Sequence, residues 1–135
     1  SIVKAAFEEG AADLVQLNMD YCPEPDRGLT QLAPLVKAIK KEFSTFVSLR
    51  GFPPKDKQTL DKVYAAGIDL LNLPLEGFVG FAKKDDVISP PLVYNALEYA
   101  AGIFPAGTVW TELFLEPDSM NPLKDKIDYL FKENL

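Results

Sequence analysis

The stretch TFVSLRGFPPKDKQTLDKVYAAGIDLLNLPLE, residues 45–76, carries two strands and the helix that joins them. Thr45 to Leu49 reads as a strand. It stops at Gly51-Phe52-Pro53-Pro54, because proline offers no backbone N–H and restricts the residue before it. Leu60, Val63 and Tyr64 then recur at helical spacing, and Gly67 closes the helix with a residue free to turn left-handed. Ile68 to Leu75 follows, dense in leucine as a strand buried on both faces should be. A strand, a helix and a second strand in so few residues predict a parallel pair with a right-handed crossover.

The same alternation extends in both directions. Upstream, Ile2 to Glu9 reads as a short helix closed by Gly10, and Leu14 to Asp20 as a strand. Pro23 and Pro25 force a loop there. Leu32, Leu35, Val36, Ile39 and Phe43 form the apolar stripe of the next helix. Downstream, Gly77 to Ser89 is an irregular connection of a length that often covers a site. Ser89 is placed to cap a helix that has Pro90 at its first position and runs to about Ala101, before Gly102. Thr108 to Leu115 is the fourth strand. Asp118 or Ser119 caps a last helix, with Pro122 in its first turn and Leu123, Ile127, Leu130 and Phe131 facing inward. The order α(βα)₄ predicts an α/β protein of parallel β/α repeats.

Polar residues end each strand at spacings of two: Gln16, Asn18 and Asp20; Ser48 and Arg50; Asn72 and Glu76; Glu112 and Glu116. Side chains two apart on a strand share a face. In a parallel β/α sheet these groups converge at the carboxyl end, where such folds bind ligands. Polar positions on one face also argue against a flat sheet with helices on both sides, which would want them apolar. Four strands leave two open edges, so the 135 residues are expected to be one partial-barrel domain, a fragment of a larger chain. Ser1 in place of methionine agrees with a cropped or processed start.

Composition narrows the chemistry. The 14 basic and 20 acidic residues give a net charge of −6, with no basic cluster suited to nucleic-acid backbone. Lys37 to Lys41 is interrupted by Ala38 and Ile39 and reads as a solvated helix face. No apolar run reaches the roughly 18 residues that cross a bilayer. With a single cysteine, Cys22, an intrachain disulfide is excluded and a cytoplasmic setting is the expectation. The absence of histidine excludes a Ser-His-Asp triad, a Cys-His pair and histidine-based metal sites. Cys22 reads as a packed thiol, Trp110 and Phe114 as core, and Tyr94 and Tyr99 as helix-face packing.

Two stretches resemble a known family. Ser48 to Leu71 with Asn72-Leu-Pro-Leu-Glu-Gly, a strand, a helix ending in "AAGID" and a strand ending in glutamate, is similar to the middle of the radical SAM barrel. Ile103 to Pro117, ending Glu112-Leu-Phe-Leu-Glu-Pro, resembles the strand that ends near a "GLEP"-like signature in that family. Together they span about a third of the 135 residues. The resemblance implies a TIM-like (β/α)₆ barrel of which about four strands are present. It also implies S-adenosylmethionine and a [4Fe–4S] cluster as cofactors of the parent. The family's C-x-x-x-C-x-x-C cluster loop is absent here, so the chain alone is expected to hold no cluster and to be inactive.

The resemblance places Glu76 near the ribose of S-adenosylmethionine, Ser48 and Arg50 near its ribose or carboxylate, and Asn18 and Asp20 where the methionyl amino group is received. Asp20-Tyr21-Cys22-Pro23 stands where the family has a double glycine. Asn72 joins the cofactor group, Glu112 and Glu116 are the substrate-side candidates, and no catalytic or metal-ligating residue is assigned. By charge, Asp20, Glu76, Glu112 and Glu116 form an acidic mouth with Arg50 as its one fixed cation, suited to a sulfonium, an ammonium, a sugar hydroxyl or a carboxylate. The same carboxylates also suit Mg²⁺ or Mn²⁺ in a barrel lyase or isomerase. A further reading is a non-catalytic domain whose sheet edges serve homo-oligomer contacts, its carboxylates being ordinary solvated strand ends. The expected partners are a small-molecule substrate, with neither nucleic acid nor membrane.

Overall fold

The computed structural model describes Lys4 and residues 14–75, 88–112 and 120–132. Four strands, β1 (Leu14–Asn18), β2 (Phe46–Arg50), β3 (Leu70–Asn72) and β4 (Val109–Trp110), form one parallel sheet in the order β1-β2-β3-β4. Helices α1 (Ala33–Glu42), α2 (Gln58–Ala66), α3 (Pro90–Ile103) and α4 (Met120–Lys132) alternate with or follow the strands, and a short 3-10 turn, Leu29–Leu32, precedes α1. Sequence neighbours are therefore sheet neighbours. A doubly wound sheet reverses its order at a switch point, and no reversal occurs among these four strands. The expected α/β class and parallel pairing are present; the sheet is not closed.

The register explains why the two faces differ. Val15 pairs with Val47, Leu17 with Leu49, Leu49 with Leu71, and Leu71 with Val109. Val47, Leu49, Leu71 and Leu73 are completely buried and join Val36 and Ile39 of α1, Leu60 and Val63 of α2, and Val93, Leu97 and Ala100 of α3 in one core. Each fully buried leucine or valine contributes about 1.5–3 kcal/mol of hydrophobic stabilisation. The alternate positions Gln16, Asn18, Ser48, Arg50, Asn72 and Trp110 occupy the opposite face, hereafter the open face. The ladder continues past the assigned strands: Leu71, Leu73 and Leu75 donate to the carbonyls of Thr108, Trp110 and Glu112 at 2.9–3.2 Å. That regular step of two carries Glu112 to the open face beside Trp110.

Local chemistry sets the element ends. The Ser89 hydroxyl accepts from Leu92 N–H and Pro90 starts α3, as the sequence predicts. The helix runs through Gly102 to Ile103, two residues beyond the expected end. Gly67 closes α2 at φ +116. At the amino end of the sheet, Lys40 Nζ donates to Asp69 Oδ2 at 2.5 Å and to the Thr45 carbonyl at 3.0 Å, while the same Asp69 oxygen accepts from Val47 N–H at 2.9 Å. Lys40 is thus engaged, and only Lys37 and Lys41 of the expected solvated face lie in solvent.

Several burial expectations are corrected. Leu35 is exposed despite its place in the apolar stripe of α1, and Tyr64 is exposed although its ring rests on Phe104 with centroids 4.8 Å apart. In α4, Leu130 is buried as expected, but Ile127 and Phe131 point outward, Phe131 at 73% exposure. Tyr129 anchors that helix instead, its ring edge-on to Tyr94 at 4.6 Å. Trp110 is 41% exposed rather than core, because its position in β4 faces the side of the sheet that carries no helix among the described residues. Tyr99 does pack between helices, donating from its hydroxyl to Asp61 of α2 at 2.6 Å. That bond holds the phenol's proton, so the Tyr99 pKa lies above its ordinary value. The expected first helix, apart from the helical Lys4, the 77–87 connection, Phe114 and the caps at Asp118 and Ser119 lie outside the described residues. So does the side chain of Leu123. No helix of the described residues is long and apolar enough to cross a membrane.

Candidate functional site

Three of the sequence-selected residues meet at the carboxyl end of the open face. The register places Asn18, Arg50, Asn72 and Trp110 side by side across β1 to β4. From β2, Arg50 reaches over Asn72 to Glu112, its Nε donating to Oε1 at 3.2 Å and its Nη2 to Oε2 at 3.1 Å. Two strand spacings, roughly 10 Å, separate the parent strands, so only two long side chains can close this fork. Asn72 sits beneath the bridge and donates from Nδ2 to Glu112 Oε1 at 2.7 Å. A carboxylate only accepts, which fixes the orientation of the amide.

Electrostatics follow from this geometry. Hydrogen bonds from Arg50, then from Asn72, hold the Glu112 carboxyl below the usual glutamate range, outweighing the opposing effect of partial burial. Glu112 is therefore anionic at neutral pH, and its charge cancels that of Arg50. Asn72 is fully buried, and its Oδ1 has no hydrogen-bond partner among the described residues. Leaving a buried acceptor unpaired costs about 1–3 kcal/mol.

The remaining candidates are distributed around this core. Asn18 is exposed and its Oδ1 accepts from Gln16 Nε2 at 2.9 Å. Ser48, 2% exposed, lies one step toward the amino end, between Gln16 and Leu70. Asp20 is an exposed residue of the loop after β1. Glu76 and Glu116 lie outside the described residues. Among the described residues no group of three or more acidic, cysteine or histidine side chains is arranged to hold a metal ion. Cys22 is a free, half-buried thiol.

The acidic-mouth expectation is revised in two respects. Arg50 is no isolated cation, since Glu112 fills its fork. A second guanidinium also stands at the same end of the sheet. Arg27, 1% exposed, donates from Nε to the Pro53 carbonyl at 3.1 Å and from Nη1 to the Cys22 carbonyl at 3.4 Å, and its charge lies 5.6 Å from the Tyr21 ring centroid. Tyr21 in turn meets Phe52 edge-on at 5.4 Å, and Lys55 N–H donates to the Pro25 carbonyl at 2.8 Å. The loops after β1 and β2 are thereby joined beside the rim. Sequence reasoning missed Arg27. Its signal is the Asp26-Arg27-Gly28 run, in which Asp26 accepts from Gly28 N–H and Thr30 Oγ1 and the backbone turns left-handed at both Arg27 and Gly28. Those bonds, Thr30 first, lower the Asp26 pKa.

Comparison with family models, curated proteins and solved structures finds no match to this chain.

Proposed function

We propose that the chain forms part of the catalytic barrel of a radical SAM-type enzyme and lines the S-adenosylmethionine and substrate site. The observation that supports this reading is the convergence of Arg50, Asn72 and Glu112, with Asn18 in register beside Arg50, on the sheet face that carries no helix among the described residues, at the carboxyl ends of parallel strands in unbroken order. Sequential order with helices on one side is the arrangement from which a β/α barrel closes, and such barrels place their ligands at this end. The resemblance at Ser48 to Gly77 and Ile103 to Pro117 supplies the family. In this reading Ser48, Arg50, Asn18, Asp20, Asn72 and Glu76 belong to the cofactor side, Glu112 and Glu116 to the substrate side. The iron–sulfur cluster and the radical chemistry that it supplies belong to parent sequence beyond this chain.

The test is made on the parent protein. Anaerobic calorimetry with S-adenosylmethionine is expected to show saturable binding that Glu76→Gln weakens at least tenfold. A parent that lacks the C-x-x-x-C-x-x-C loop and binds no S-adenosylmethionine overturns the reading. Activity dependent on Mg²⁺ or Mn²⁺ in such a parent favours the barrel lyase or isomerase instead.

A further inference from the structure

We propose that the open face around Asn72 and Trp110 is a binding site for a neutral, hydroxyl-bearing sugar ring. The inference rests on the preceding section only for the open face being the ligand face, and it needs no S-adenosylmethionine.

Three observations carry it. First, Asn72 Oδ1 is a buried acceptor with no partner among the described residues, and a hydroxyl is a donor of suitable size to satisfy it. Second, Trp110 is the register partner of Asn72 on the same face and is 41% exposed. An exposed indole offers a flat apolar surface for the C–H face of a sugar, next to hydrogen-bonding groups that orient it. Third, the guanidinium that would select an anion is already cancelled by Glu112 at 3.1–3.2 Å. A carboxylate or phosphate ligand would have to displace Glu112 and leave that carboxylate beside Asn72 without its cation. A neutral diol needs no such exchange. One hydroxyl donates to Asn72 Oδ1, and its neighbour accepts from the Nη1 of Arg50, which makes no hydrogen bond among the described residues.

Asn72 is sealed from water in the structure, so the ligand must part the side chains above it. The Arg50 and Glu112 side chains are each 43% exposed, and their outward rotation as a pair would exchange the Asn72 Nδ2 bond to Glu112 for one to a ligand hydroxyl. Their joint movement exposes the amide without separating the charges, which favours uncharged ligands further.

The chain itself provides the readout, because Trp110 is its single tryptophan. Tryptophan fluorescence of the 135-residue chain is titrated with methyl β-D-glucopyranoside and, in parallel, with D-glucuronate, which has a comparable ring and a negative charge. The expected result is a saturable change with the neutral glycoside in the millimolar range and binding of glucuronate at least tenfold weaker. Asn72→Ala is expected to weaken glycoside binding at least tenfold. Glu112→Gln frees the Arg50 charge and should reverse the order, glucuronate then binding better than the glycoside. No saturable change with the glycoside, or a wild-type chain that binds glucuronate as well or better, overturns the proposal whether or not the variants fold. Glycoside binding by a chain whose parent ignores S-adenosylmethionine would retain this site and remove the cofactor assignment.

Discussion

At the residue scale, the chain's two arginines stand in opposite situations. Arg50 is half-exposed and bonded to a carboxylate, whereas Arg27 is buried and bonded to main-chain carbonyls. The Arg27 guanidinium donates to backbone acceptors whose loss of a partner is expensive. Arg27→Ala is therefore expected to destabilise the chain by about 2–4 kcal/mol, read as a lower urea midpoint. A loss below about 0.5 kcal/mol would show that the Arg27 bonds do not hold the loops after β1 and β2 together. The Arg50–Glu112 pair is screened by solvent and contributes no more than about 1 kcal/mol. Its pH dependence has a definite sign. Because the folded-state pKa of Glu112 is depressed, the contribution is fully present above the ordinary glutamate range. It is lost as pH falls through the depressed folded value. The stability difference between wild type and Glu112→Gln should accordingly shrink between neutral pH and pH about 3. A difference that stays constant over that range would show the pair to be energetically idle.

At the scale of elements, Gly67 is the sharpest test of local construction. It ends α2 at φ +116, and a Cβ there would sit 3.1 Å from Lys40 Cγ. Gly67→Ala combines a disfavoured backbone with displacement of the lysine that holds Asp69, and should cost about 1–3 kcal/mol in thermal or chemical denaturation. A neutral substitution would contradict this cap. The helices and strands were legible because their periods are written into the apolar residues, and each strand's face assignment follows from its period of two. The site was legible only in part. Arg50, Asn72 and Glu112 could each be selected as strand-end polar residues. Their bonding could not, because the Arg50–Glu112 fork joins residues 62 apart through the relative register of three strands. Residue type marks Trp110 as core, and their places in the apolar pattern of the last helix mark Ile127 and Phe131 as inward. Residue type does not tell which face of a sheet or helix has helices packed on it.

At the scale of the whole molecule, the asymmetry of the sheet dominates. One face is closed by helices; the other presents Leu14 at 44%, Phe46 at 63% and Trp110 at 41% exposure. Leu14 and Phe46 are register partners, so their apolar surfaces adjoin. β1 and β4 also leave outer edges unpaired among the described residues, and such edges template further association. The isolated chain is therefore expected to self-associate as concentration rises, with Phe46→Lys shifting the population toward monomer. Light scattering that finds a monomer at every concentration would contradict this expectation.

The bonds of Asp69 have a consequence for how such a scaffold can change. One carboxylate oxygen receives both the Lys40 ammonium and the Val47 amide, which fixes how the second and third strands line up, and does so at the end remote from Asn72. Alignment is thus determined by groups that take no part in recognition. Mutations that rewrite the polar tips can alter what the protein holds while the strands keep their places.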